Sequence, residues 1–271
     1  MRSSNPALSD RVLQRSLQHT DLRPGYGAPA PDAVSTWTPG APAIPTTATM
    51  TVGGAVSASA VLLLLLVVTG WFGWQAVEAT PRGIEMPPWL LLALFGGLGI
   101  AILTIFKPNL ARFTAPLYAV VEGLLVGAIS HLYEFEFDGI VLNAVGLTVG
   151  VFGVMLLLYA TRIIKVTDKL RMGIACATGA IFLVYMFNFV LRLFGSQVPF
   201  LHDATPLGIG ISLVIVGVAA FNLLLDFDFI ERGAQMGAPK HMEWYGAFGL
   251  LVTLIWLYLE LLRLLSKLQR R

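Results

Sequence analysis

From residue 52 onward, the chain is a succession of apolar stretches separated by short polar breaks. Spanning a hydrocarbon core about 30 Å thick takes about 20 residues of helix. Seven stretches meet that length, at 54–76, 88–106, 114–133, 139–160, 172–194, 206–227 and 244–265. Backbone N–H and C=O groups find no water in lipid, so each stretch is predicted to be a helix. The fold class is an all-α integral membrane protein with seven transmembrane helices over 51–267. A tail precedes the bundle at 1–50, and a short basic end follows at 268–271. The first stretch has no basic segment before it and no small-x-small cleavage site after it, so it reads as a retained span rather than a signal peptide.

The tail breaks the pattern. RPGYGAPAPDAVSTWTPGAPAIP buries too little apolar surface to order itself, and the tail is expected to be disordered. Within it, ALSDRVLQRSLQ has Ser9 or Asp10 to cap a short helix, with Leu8, Val12, Leu13 and Leu17 roughly on one side. It reads either as a nascent helix or as a contact with the membrane surface or a partner.

Composition agrees with a bilayer environment. The 271 residues are 56% hydrophobic and 13% charged, where soluble domains carry about 25% charge. Mean hydropathy is +0.75. With a net charge of +2 and no long basic block, nucleic acid is not an expected partner. A single cysteine, Cys176, excludes an internal disulfide or a multi-cysteine metal site, and the four histidines show no ligand spacing. The chain has no HExxH, no serine-centred nucleophile motif and no paired aspartates at helix-core depth. It is not expected to be an enzyme or to hold a resident cofactor. Lys and Arg counts set the orientation. With the N-terminus inside, internal loops carry eight and external loops one. Arg263, Lys267, Arg270 and Arg271 then lie outside, against the rule.

Charged groups within spans are rare and face the bundle interior or water, each costing about 2.5–3.5 kcal/mol at mid-membrane. Four stand out: Glu122, Asp226, Asp228 and Glu260. Glu122, deep in PLYAVVEGLLVGAIS, is either a neutral hydrogen-bonded acid between helices or a proton or cation site. Asn222 lies four residues before Asp226 and shares its helix face, which favours Asp226 as the inward residue. Asp228, two residues on, groups with Glu231 and Arg232 at the boundary. Glu260 has Arg263 three residues later as an ion-pair partner and Thr253 two turns earlier on the same face. YEFEFDG at 133–139 reads as a solvated acidic loop. Gly123 and Gly127 in GLLVG, and Gly96, Gly97 and Gly99, are read as small residues that let helices pack closely.

Three stretches resemble the Bax-inhibitor family, the transmembrane Bax inhibitor motif proteins, over about residues 50–267. PLYAVVEGLLVGAIS is similar to that family's third helix, NLLLDFDFIERG to the end of its sixth, and GLLVTLIWLYLELLRLLSKL to its last. MRSSNPALS and the Pro-rich tail resemble an actinobacterial-type subgroup. The resemblance implies six helices around a central apolar seventh. It also implies a bacterial inner-membrane location, while the Lys and Arg count is what gives a cytoplasmic N-terminus and, with seven spans, an external C-terminus. Bacterial members are associated with a pH-dependent calcium leak, in which aspartates on the sixth and seventh helices share a proton and latch the pore. The first aspartate corresponds to Asp226. The second falls on Thr253, a departure that leaves Glu260 or Glu122 to supply another carboxylate. Lys107 is the nearest match to the family's closing cation. The resemblance also admits a non-conducting regulator that binds membrane proteins such as a quality-control protease, with the tail as its working end.

Overall fold

The computed structural model describes residues 49–80, 83–85, 87–195 and 204–270. The expected short helix in the tail lies outside the described residues. Among the described residues seven α-helices form: α1 (Val52–Gln75), α2 (Trp89–Phe106), α3 (Ala111–Glu136), α4 (Ile140–Ala160), α5 (Asp168–Leu193), α6 (Pro206–Gln235) and α7 (Met242–Gln269). All seven are long and apolar enough to cross a membrane, so the chain is a multi-pass protein in contact with the bilayer. A small antiparallel hairpin, β1 (Glu78–Thr80) with β2 (Gly83–Glu85), joins α1 to α2.

The helices start where the sequence supplies caps. Thr51, Thr167 and Thr205 each accept a hydrogen bond from the backbone N–H three residues on, satisfying a donor that the first turn leaves open. α4 is capped from outside itself. Gly139 adopts φ 75°, and the Glu134 carboxylate accepts from the Gly139 and Val141 amides at 2.8 and 2.9 Å. The expected acidic loop is therefore partly structural, since Glu134 and Glu136 belong to the last turn of α3.

α7 is the axis of the bundle. Of its most apolar 18-residue window, 67% is buried inside the protein, against 11% for α5. It packs against α1, α3, α4 and α6, while α2 leans on α3 and α5 on α6. Six helices thus surround a central seventh. The tightest seam is between α1 and α3. A Cβ added at Gly127 would overlap the Gly70 carbonyl, one at Gly73 the Leu124 carbonyl, and one at Gly123 the Thr69 hydroxyl. Backbone meets backbone there because no side chain intervenes. Gly96 and Gly99 on α2 face open space, contrary to their expected packing role, and only Gly97 has a close neighbour.

The spans differ from expectation mainly at their ends. α6 runs eight residues past 227 to Gln235, so Asp226 and Asp228 lie within a helix and not at its end. The reason is polar pairing along that last stretch, which keeps the helix intact beyond its apolar part. The bundle also begins before 51. Met50 is buried in the core and donates its amide to Ala238, beside a bridge between Thr49 and Pro239. Thr51 then gives both its amide and its hydroxyl to Glu243 on α7, at 2.9 and 2.8 Å.

Gly127→Ala is expected to destabilise the bundle by about 1–3 kcal/mol, since the Gly70 backbone must move to admit the methyl. Gly146→Ala, which meets open space on α4, should be neutral or slightly stabilising. Thermal unfolding of the two variants in one detergent compares them directly.

Candidate functional site

At about 1.5 Å of rise per residue, Asp226 sits roughly 14 Å along α6 from that helix's C-terminal end. Thr253 and Glu122 sit roughly 17 Å from the starts of α7 and α3. These ends share one face of the bundle, so the three residues lie at similar depth near mid-membrane. Depth alone does not bring them together. Asp226 is 1% exposed, with Asn222 and Thr253 also buried in the interior. Asn222 donates to the Thr178 hydroxyl on α5 at 2.8 Å and to its own Val218 carbonyl. This bond fixes the Asn222 face of α6, one turn before Asp226, against α5. Thr253 donates to the Gly249 carbonyl at 3.2 Å, which leaves its oxygen lone pairs to accept. Glu122 faces outward from this group. It is half-buried, and its carboxylate lies where a side chain at Gly97 of α2 would begin.

Glu260 sits roughly 10 Å further along α7 than Thr253. Arg263 holds its carboxylate at 2.9 and 3.0 Å, and the Tyr185 hydroxyl of α5 donates to it at 2.7 Å. Arg263 also donates to Tyr185, closing a three-residue ring that ties α5 to α7. The i,i+3 pair is as the spacing predicts, and Tyr185 is the addition. Lys107 ends α2 as an exposed residue and makes no ion pair among the described residues.

Asp228 is more than a boundary residue. Arg171 of α5, almost fully buried, donates to it at 2.7 Å, and Arg232 one turn later at 2.9 Å. Next to it, Glu231 accepts from Tyr159 and Arg162 at the end of α4, and from Gln235 at 3.1 Å. The last turns of α6 are thus laced to α4 and α5. Arg171 precedes the expected span at 172–194 by one residue, yet it lies inside α5. The polar Thr178 and Tyr185 inside that run were the available signal for where α5 faces its neighbours.

Among the described residues, no three His, Cys, Asp or Glu side chains converge. A hard cation at Asp226 would therefore draw its other oxygens from amides, hydroxyls, carbonyls or water. In comparison with known proteins, the model of a family described as Bax inhibitor 1 like matches residues 5–270. The match extends well into the tail, which the resemblance in the sequence had omitted. No curated protein matches the chain.

Asp228→Asn removes the short bond to buried Arg171 and should cost about 3 kcal/mol. Arg232→Gln, at a partly exposed partner, should cost less than about 1 kcal/mol. Chemical unfolding of each variant checks the order. Burial also holds His241, in the loop before α7, below its ordinary value of 6.5. Its folded-state value is the lower one, so the unfolded chain binds more protons and stability falls as pH drops through that range. His241→Gln should remove part of the stability loss between about pH 7 and 5, read from melting temperatures across that window.

Proposed function

The chain belongs to the Bax inhibitor 1 like family, and on that premise we propose that it is a pH-sensitive leak channel for calcium or protons, gated by the charge on Asp226. The observation that carries this reading is a carboxylic acid at mid-membrane depth, 1% exposed inside the bundle. An ionised carboxylate in a dry interior is costly by several kcal/mol. The protonated acid suits the closed packing around α6 and α7. Loss of the proton favours any rearrangement that admits water or a cation to the same spot. Calcium, a hard cation, takes oxygen ligands, and Asp226 with the amide oxygen of Asn222 and the hydroxyl of Thr253 offers three oxygen-bearing groups at about one depth. With Thr253 in place of a second acid, the gate would titrate as one group rather than a coupled pair. This reading assigns no catalytic step and places the protein in a bacterial inner membrane.

In proteoliposomes loaded with a calcium dye, wild-type flux should rise between about pH 6 and 8, and Asp226→Asn should abolish that rise. Equal, pH-independent flux in both proteins would sink the proposal.

A second reading is favoured by one observation. Thr49 and Met50 are fastened to the loop between α6 and α7, so a partner engaging the tail would pull on the ends of both helices. The protein would then be a non-conducting regulator of membrane proteins, a quality-control protease among them. Deleting residues 1–45 separates the two readings. A lost cellular phenotype with flux intact supports the regulator, and a phenotype kept with flux intact supports the channel.

A further inference from the structure

α5 is the least buried of the seven spans, and its polarity is reversed. Its inward face runs through positions 171, 174, 178, 181, 185 and 188, the three- and four-residue spacing of one helix side. Arg171, Thr178, Tyr185 and Asn188 make that face largely polar. The other side carries Met172, Phe182, Leu183 and Phe189, all exposed. Three contacts of the polar face run along the depth of the membrane. Arg171 donates to Asp228 of α6 at 2.7 Å, Thr178 accepts from Asn222 of α6 at 2.8 Å, and Tyr185 donates to Glu260 of α7 at 2.7 Å. From Arg171 to Tyr185 they cover about 21 Å of α5, in a hydrocarbon core about 30 Å thick. α5 and α6 run antiparallel here, and Asp226 lies in depth between the first two contacts.

Charge along this seam is set out by depth. Toward the α6–α7 loop, Arg171 and Arg232 hold Asp228, and toward the opposite face Arg263 holds Glu260. Between these ion pairs stand the neutral Thr178 hydroxyl and Asn222 amide. We infer that the seam is the route by which water and a cation reach Asp226, with α5 moving away from α6 and α7 as a lateral gate. This route rests on the channel reading and gives that channel its path. Hydrogen bonds, rather than interlocked apolar side chains, join α5 to its neighbours at these points, and water can replace each one that opens. The apolar side of α5 stays in lipid throughout, so the movement brings no charged group into hydrocarbon. Arg171 and Tyr185 leave with α5. Opening therefore bares oxygens of Asp228 and Glu260 at the two mouths, and a hard cation takes oxygens of that kind.

The test uses the full chain in proteoliposomes, with the exposed Cys176→Ala change throughout so that no native thiol reacts. Thr178→Cys puts a thiol in the seam, and Leu183→Cys puts one on the lipid side of the same helix. Each is treated at about pH 8, where part of a thiol is ionised, with a membrane-impermeant trimethylammonium methanethiosulfonate. Labelling is read by mass, and calcium flux is read from the trapped dye before and after. Thr178→Cys should be labelled and should lose its flux on labelling, while Leu183→Cys should show neither change. If Thr178→Cys fails to fold, Ile181→Cys, one turn on and on the same face, decides in its place. A seam thiol as unreactive as that of Leu183→Cys, or one that is labelled and conducts as before, overturns the route. Absence of flux in the wild type defeats the channel reading instead, and labelling alone then decides whether water enters at the seam.

Discussion

The seam between α1 and α3 is the contact on which the rest of the bundle is stacked. Lipid tails are as apolar as the helices they surround, so burying apolar surface does little to drive helices together in a bilayer. Close backbone approach has to do that work, and Gly70, Gly73, Gly123 and Gly127 provide it by leaving no side chain between the two helices. The pair forms a wall against which α7 lies, and α4 and α6 close around the other side of α7.

Polar contacts finish what the glycines begin, and they are placed unevenly with depth. On one face, Arg171, Asp228 and Arg232 join α5 to α6, Glu231 reaches α4, and Glu243 receives Thr51. On the other, the Glu260–Arg263–Tyr185 ring and the Glu136–Arg270 pair hold α5, α7 and α3. Between the two belts lie Asn222, Asp226 and Thr253, in an interior otherwise filled by side chains such as Leu223, Leu224 and Phe248. A change of charge at mid-depth would therefore act on helices pinned at both ends. Such helices can bow or rotate without separating.

The number and order of helices were legible in the sequence because twenty-residue apolar runs have few other uses. Local partners were legible as well. Glu260 and Arg263 are three residues apart on one helix face and pair as that spacing predicts. Gly123 and Gly127 mark a real seam, whereas Gly96 and Gly99 look similar in sequence and face open space. The difference depends on which side of each helix meets a neighbour, and a span that is apolar all round does not record its own rotation. Helix ends were misjudged for a related reason. Hydropathy marks where lipid stops, but α6 continues to Gln235 on ion pairs with residues 57 and 69 positions away in the chain, Arg171 and Arg162. Such partners carry no signal in a single sequence, so Asp228 looked like an edge residue.

The link between Thr51 and Glu243 has a consequence for the order in which the protein is made. The two residues are 192 positions apart, and the first of the seven spans is tied at its start to the last. The same holds for the axis, since α7 follows in the chain every helix that it packs against. During synthesis the six outer helices enter the membrane around a place not yet filled. Their polar inward groups, Asn222 and Asp226 among them, must wait in a half-built, wetter or lipid-filled space. The final geometry of the interior is therefore set in a single late event, when α7 slides into the centre.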